Sequence, residues 1–229
     1  MNEFLTVTSE NHEAEQVLLL IPDIWGLTEY NQSTAQSLAI DYARPSYILD
    51  YFYQLTNQPS IFDSSIDSQT APGLMEKMRG EDFVEIFNKA IIQIKLNQPK
   101  LKSIQVVGFC FGGRLAYLSG LEKLVDKIIV FYGAGALKPD FYQNKNVIET
   151  LCQARAGDQN LKVLAFFGSQ DQSIPANDQA SIQQSFESAK ISYEHHEYNA
   201  GHAYFQQGRP SFDSDAAQKS KHDLDNFLT

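Results

Sequence analysis

With 229 residues, 43% hydrophobic and 20% charged, the chain is long enough for one globular domain with a full core and too short for two comfortable ones. A formal net charge of −10 speaks against nucleic acid or an anionic membrane as the main partner, because both require clustered lysine and arginine. Only two cysteines occur, Cys110 and Cys152, so no disulfide framework is expected. Neither a signal-peptide pattern nor an apolar run of membrane-spanning length is found, and the expectation is a soluble, cytoplasmic monomer or small homo-oligomer.

Along the chain, Phe4-Leu5-Thr6-Val7-Thr8 reads as a short first strand. Val17-Leu18-Leu19-Leu20-Ile21, ended by Pro22, has the continuous apolar pattern of a strand buried on both faces. Helical spacing follows over Ala35, Leu38, Ala39 and Tyr42, then a strand at Tyr47-Ile48-Leu49. A second helix is predicted from about Phe83 to Leu96, from the apolar positions Phe83, Ile86, Phe87, Ala90, Ile91 and Ile94. Strands follow at Ile104–Val107, Lys127–Phe131, Val163–Phe167 and Tyr193–Tyr198, separated by helices at Arg114–Leu118 and about Pro175–Ala189, with a last helix through Phe227. Such alternation predicts a single α/β domain over residues 1–229, with a doubly wound, mainly parallel sheet and helices on both faces. Two stretches break the rhythm. Residues 51–80 read as a long irregular connection, expected to form a cap over the site, and residues 138–160 as an insertion with a short helix around Val147-Ile148.

The chemistry concentrates at Gly108-Phe109-Cys110-Phe111-Gly112-Gly113, directly after an apolar strand and directly before a helix. That context is a nucleophile elbow with cysteine at its corner; the flanking glycines let strand and helix approach, and the helix N-terminus favours a thiolate. Asp171 follows the strand at Val163–Phe167, where an acid can orient a histidine, although a helix-capping aspartate is the plain alternative. His202 follows the last strand, in a loop where Gly201 is expected to carry the imidazole back over the sheet. Nucleophile, acid and histidine, each just after its own strand, follow the order of an α/β-hydrolase.

Gly108-x-Cys110-x-Gly112-Gly113, Gly168-x-x-Asp171-x-x-x-Pro175 and Ala200-Gly201-His202-Ala203, with the turn Pro22-Asp23-Ile24-Trp25-Gly26-Leu27, together resemble the dienelactone hydrolase family, the carboxymethylenebutenolidases. The resemblance covers roughly residues 15–228. It implies a cofactor-independent hydrolase of small esters or lactones that forms an acyl-enzyme on Cys110, with Asp171 and His202 completing the triad. It also implies an oxyanion hole from the backbone N–H groups of Ile24 and Phe111; for Phe111, the elbow itself argues the same. Asp23 stands where the family has a glutamate gate over the resting thiol. Gln206 stands where the prototype has an arginine for the substrate carboxylate, leaving Arg209 or Arg79 as candidate anion contacts and Tyr132 as a pocket residue.

No H-E-x-x-H or C-x-x-C spacing is present, so no metal is expected, and His195 and His196 should face opposite sides of their strand. Cys152 reads as a packing residue. The competing reading is a non-hydrolytic ligand-binding or thiol-sensing protein that retains the fold.

Overall fold

The computed structural model describes residues 4–7 and 13–229. Its strands are β1 (Leu5–Val7), β2 (Gln16–Ile21), β3 (Ser46–Leu49), β4 (Ser103–Phe109), β5 (Val125–Phe131), β6 (Lys162–Gly168) and β7 (Ser192–Tyr198). The helices are α1 (Glu29–Asp41), α2 (Tyr53–Thr56), α3 (Thr70–Lys77), α4 (Gly80–Asn97), α5 (Phe111–Ser119), α6 (Val147–Ala154), α7 (Ala176–Ala189) and α8 (Ser214–Leu228). Thr8, the last residue of the predicted first strand, lies outside the described residues.

The strands form one sheet in the order β1-β3-β2-β4-β5-β6-β7. Every pairing is parallel except that of β1, which runs antiparallel to β3 at the sheet edge. Strands β3 and β4 are buried throughout, and β2 beyond its first residue, which is why they read as largely apolar runs, with Gln105 the polar residue inside β4. β7, at the other edge, alternates charged and aromatic side chains and is half exposed. Helices α4, α5, α6 and α7 pack in succession along one face of the sheet. On the other, α1 and α8 are joined by the Tyr42 hydroxyl donating to Asp225 at 2.6 Å and by Lys221 beside Asp41 at 3.2 Å.

Residues 51–80 are less irregular than their composition predicts, since they contain α2 and α3. α3 is hidden by Pro72 and Gly73; the proline occupies its first turn, where no intrahelical N–H is needed. The segment is fastened to the turn after β2. Leu27 N–H donates to Ser60 O at 2.7 Å and Phe62 N–H to Trp25 O at 3.1 Å. Gly26, at φ +72°, lies where a Cβ would come within 2.2 Å of Ser60 O. The carboxylate of Asp50 closes the base of the loop by accepting from Ser60 N–H at 2.6 Å and Tyr53 N–H at 3.1 Å, and burial pushes its pKa up to about 6.

Candidate active site

The corner between β4 and α5 places Cys110 at φ +54°, ψ −118°, a strained conformation for a residue with a side chain. The neighbouring glycines explain how that corner fits. A Cβ on Gly108 would lie 2.4 Å from Gly112 O, and one on Gly112 would lie 2.1 Å from Pro22 O and 2.3 Å from Ile21 O. Strand, helix and the turn after β2 therefore touch backbone to backbone. That contact brings Asp23 and Ile24 beside the elbow.

His202 Nε2 lies 3.1 Å from Cys110 Sγ, and His202 Nδ1 lies 2.6 Å from Asp171 Oδ2. The second Asp171 oxygen accepts from Ser173 N–H at 2.8 Å, and the carboxylate is 1% exposed. Its loop is stitched to the histidine loop by Gln170 N–H donating to Ala200 O at 3.0 Å. Gly168 makes the approach feasible, because a Cβ there would come within 2.2 Å of Ala200 O. Gly201 has no such role. It has ordinary φ, a Cβ on it would meet nothing within 4 Å, and the left-handed residue of this loop is Ala203 at φ +61°. Burial alone would lower the pKa of His202. The hydrogen bonds with Asp171 and Cys110, together with their negative charges, outweigh it and raise the pKa to about 10.

Tyr132, fully buried, sets its ring edge-on to the His202 imidazole at 5.2 Å. The amide N–H groups of Ile24 and Phe111 make no hydrogen bond within the protein among the described residues. The carboxylate of Asp23 accepts from Trp25 N–H and from Asn31 Nδ2, each at 3.1 Å, and its other oxygen faces Arg209 Nη2 at 3.5 Å. Burial raises its pKa against these three partners, none of which is the thiol. Arg209 also donates from Nε to Gln206 Oε1 at 3.2 Å and lies over the Trp25 ring at 5.3 Å. A cleft of about 220 Å³ opens here, lined by Trp25, Tyr30, Phe62, Gln206 and Arg209. Arg79 is not brought to this place. It is exposed at the start of α4, where its amide N–H donates to the Asp82 carboxylate at 3.1 Å.

Sequence reasoning missed two groups at the turn. Asn31, buried inside α1, donates to Asp23 and to Gly26 O at 2.8 Å, and the Tyr51 hydroxyl donates to Asp23 O at 2.9 Å. An asparagine on the buried stripe of α1, beside Ala35 and Leu38, was the available signal for the first. His196 pairs with Glu194 at 2.7 Å while His195 packs on Phe167, on opposite faces as predicted. Cys152 is buried and its thiol is pushed up to about 11. Among the described residues no cluster of histidine, cysteine and acid side chains suits a metal ion, and no helix is long and apolar enough to cross a membrane.

By topology and by the order of these residues along it, this is an α/β-hydrolase. The family model for the dienelactone hydrolase family matches residues 3–229, and the chain belongs to that family, a family of ester and lactone hydrolases. The carboxymethylenebutenolidase of Pseudomonas putida is 28% identical over 141 residues, 61% of this chain and 54% of that protein. A protein of Escherichia coli (strain K12), bearing the same name provisionally, is 23% identical over 206 residues, 88% of this chain and 72% of that one. The chain thus spans about half the length of some curated relatives and nearly three quarters of others. A dienelactone hydrolase-like promiscuous phosphotriesterase from metagenomic libraries shares the fold at a TM-score of 0.70 and 19% identity, over 95% of this chain and 87% of that one. Esterase 2 of Thermogutta terrifontis, phosphorylated by paraoxon, does so at 0.66 and 17%, over 98% and 87%.

Proposed function

We propose that the protein hydrolyses small carboxylic esters or lactones through an acyl-enzyme on Cys110. One observation carries the reading: an elbow cysteine, a histidine and a buried aspartate joined at 3.1 and 2.6 Å in a single line. Cys110 attacks the carbonyl carbon as the thiolate, with its proton on His202. The carbonyl π pair moves onto oxygen, where the Ile24 and Phe111 N–H groups receive it. Collapse of this intermediate expels the alcohol oxygen, which takes the His202 proton. Water then attacks the thioester while His202 removes its proton, and the second collapse releases the acid and the thiolate. Asp171 holds the tautomer with Nδ1–H toward itself and stabilises the imidazolium. The cleft lined by Trp25, Phe62 and Arg209 adjoins the turn that carries Asp23 and Ile24, which supports reading it as the substrate's approach and Phe62, of the segment 51–80, as part of a cap over it.

Turnover of p-nitrophenyl acetate tests the reading. Cys110→Ala should abolish it, and iodoacetamide should inactivate the wild type with the label on Cys110 and not on Cys152. Full activity with Cys110 quantitatively labelled overturns the cysteine mechanism, whereas no turnover by the wild type leaves a binding or thiol-sensing protein on this fold.

A further inference from the structure

The inference rests on the reading above, in which the N–H groups of Ile24 and Phe111 receive the oxyanion. A trans peptide unit is planar, and its C=O and N–H point in opposite directions. The N–H of Ile24 and the C=O of Asp23 belong to one such unit. Whatever fixes the Asp23 carbonyl therefore aims the Ile24 N–H.

That carbonyl accepts two hydrogen bonds, from Gly26 N–H at 3.2 Å and from the Tyr51 hydroxyl at 2.9 Å. The first is internal to the turn and moves with it. The second ties the turn to the body of the sheet, because Tyr51 lies just beyond β3 and is 1% exposed. Its ring is also engaged, 4.5 Å from the Phe52 ring and edge-on to Phe111 at 5.9 Å. Phe52 in turn stacks on Phe111 at 6.5 Å. One side chain thus reaches the back of the first oxyanion donor with its hydroxyl and braces the residue that carries the second with its ring. Burial, with the negative charges of Asp23, Cys110 and Asp50, holds the phenol well above its usual titration range, so it remains an O–H donor.

We infer that Tyr51 is a positioning residue of the oxyanion hole, which holds the Asp23–Ile24 peptide with its N–H toward the substrate oxygen and fixes Phe111 beside it. Hydrogen bonds accepted by a peptide carbonyl also polarise its N–H and strengthen it as a donor. Tyr51 does not touch the substrate.

Tyr51→Phe tests this, since it keeps the ring and leaves the Gly26 bond in place. Two reactions of Cys110 are compared. Acylation by p-nitrophenyl acetate passes through an oxyanion; alkylation by iodoacetamide displaces iodide at carbon and forms none. Losing a whole oxyanion donor costs about 10²–10³ in rate, so a misaligned one should slow acylation roughly tenfold, with KM little changed. Alkylation should proceed at the wild-type rate. The preference for an ester over its matched thionoester should also shrink, because sulfur accepts hydrogen bonds poorly. That ratio is internal to each preparation and does not depend on the fraction folded.

Wild-type acylation and an unchanged ester-to-thionoester ratio in Tyr51→Phe overturn the proposal. So does an equal loss of acylation and alkylation, which would mark Tyr51 as merely structural. Ester turnover that survives Cys110→Ala is a different failure, that of the nucleophile assignment itself.

Discussion

The Asp23 carboxylate faces the Arg209 guanidinium at 3.5 Å, while the Cys110 thiol faces His202 at 3.1 Å. A gate of the kind the family resemblance implies would require Asp23 to leave Arg209 and Asn31. In the observed arrangement Asp23 restrains the cation that lines the cleft. Asp23→Asn should therefore lower KM for an ester bearing a carboxylate, relative to a neutral ester, because Arg209 is freed to pair with it. Arg209→Gln should raise that KM, and Arg79→Gln should change neither. Thiolate absorbance followed against pH should match the wild type in Asp23→Asn. A downward shift of that titration would reinstate Asp23 as a gate.

Asp171 and Asp178 are seven residues apart, yet only Asp171 meets the histidine, at 2.6 Å. Asp178 lies in the first turn of α7, where its charge suits the helix N-terminus. Asp171→Asn should lower kcat by a factor on the order of 10⁴, the scale of the equivalent change in serine proteases, with the fold intact by circular dichroism. Asp178→Asn should cost no more than about 1 kcal/mol of stability and leave kcat alone. The reverse ranking in steady-state kinetics would displace Asp171 from its role.

How much of this was legible in the sequence follows from which interactions are local. The apolar runs at Val17–Ile21 and Ile104–Val107 and the glycines around Cys110 encode the buried strands and the elbow within a few residues, so they could be read directly. The grouping of Cys110, His202 and Asp171 was legible because each follows closely on the end of its own strand. The hydroxyl of Tyr51 on Asp23 and the guanidinium of Arg209 beside that same residue join positions far apart in sequence, and no spacing announces them. The antiparallel direction of β1 was equally silent, since three residues at an edge carry no orientation signal. Arg114 departs from the general exposure of arginines: it is 6% exposed, with its guanidinium 3.7 Å from the centre of the Phe141 ring, a contact no spacing announces.

The glycines separate into those that permit contact and those that do not. A methyl group on Gly112 would lie 2.1 Å from Pro22 O, a backbone atom that cannot rotate away. Gly112→Ala should push the turn carrying Ile24 off the elbow, costing about 1–3 kcal/mol or more, as overpacked sites do. Gly201→Ala meets nothing within 4 Å and should unfold within about 0.5 kcal/mol of the wild type. Urea denaturation of the two variants makes the comparison, and equal midpoints would show that the elbow tolerates the extra carbon.

The raised pKa of His202 links the site to stability. In the unfolded chain a histidine titrates near about 6.5, whereas in the folded protein Asp171 and Cys110 raise His202 to about 10 despite burial. The folded state holds this proton more tightly. Its contribution to stability is therefore fully present below about pH 6.5 and is lost as pH rises through about 10. The stability lead of the wild type over His202→Gln should be widest near about pH 6 and narrow steadily toward about pH 10. Urea midpoints measured for both proteins across that range provide the check. A lead that stays constant, or widens with pH, would mean that His202 holds no extra proton in the folded state and that the imidazolium is formed only when substrate arrives.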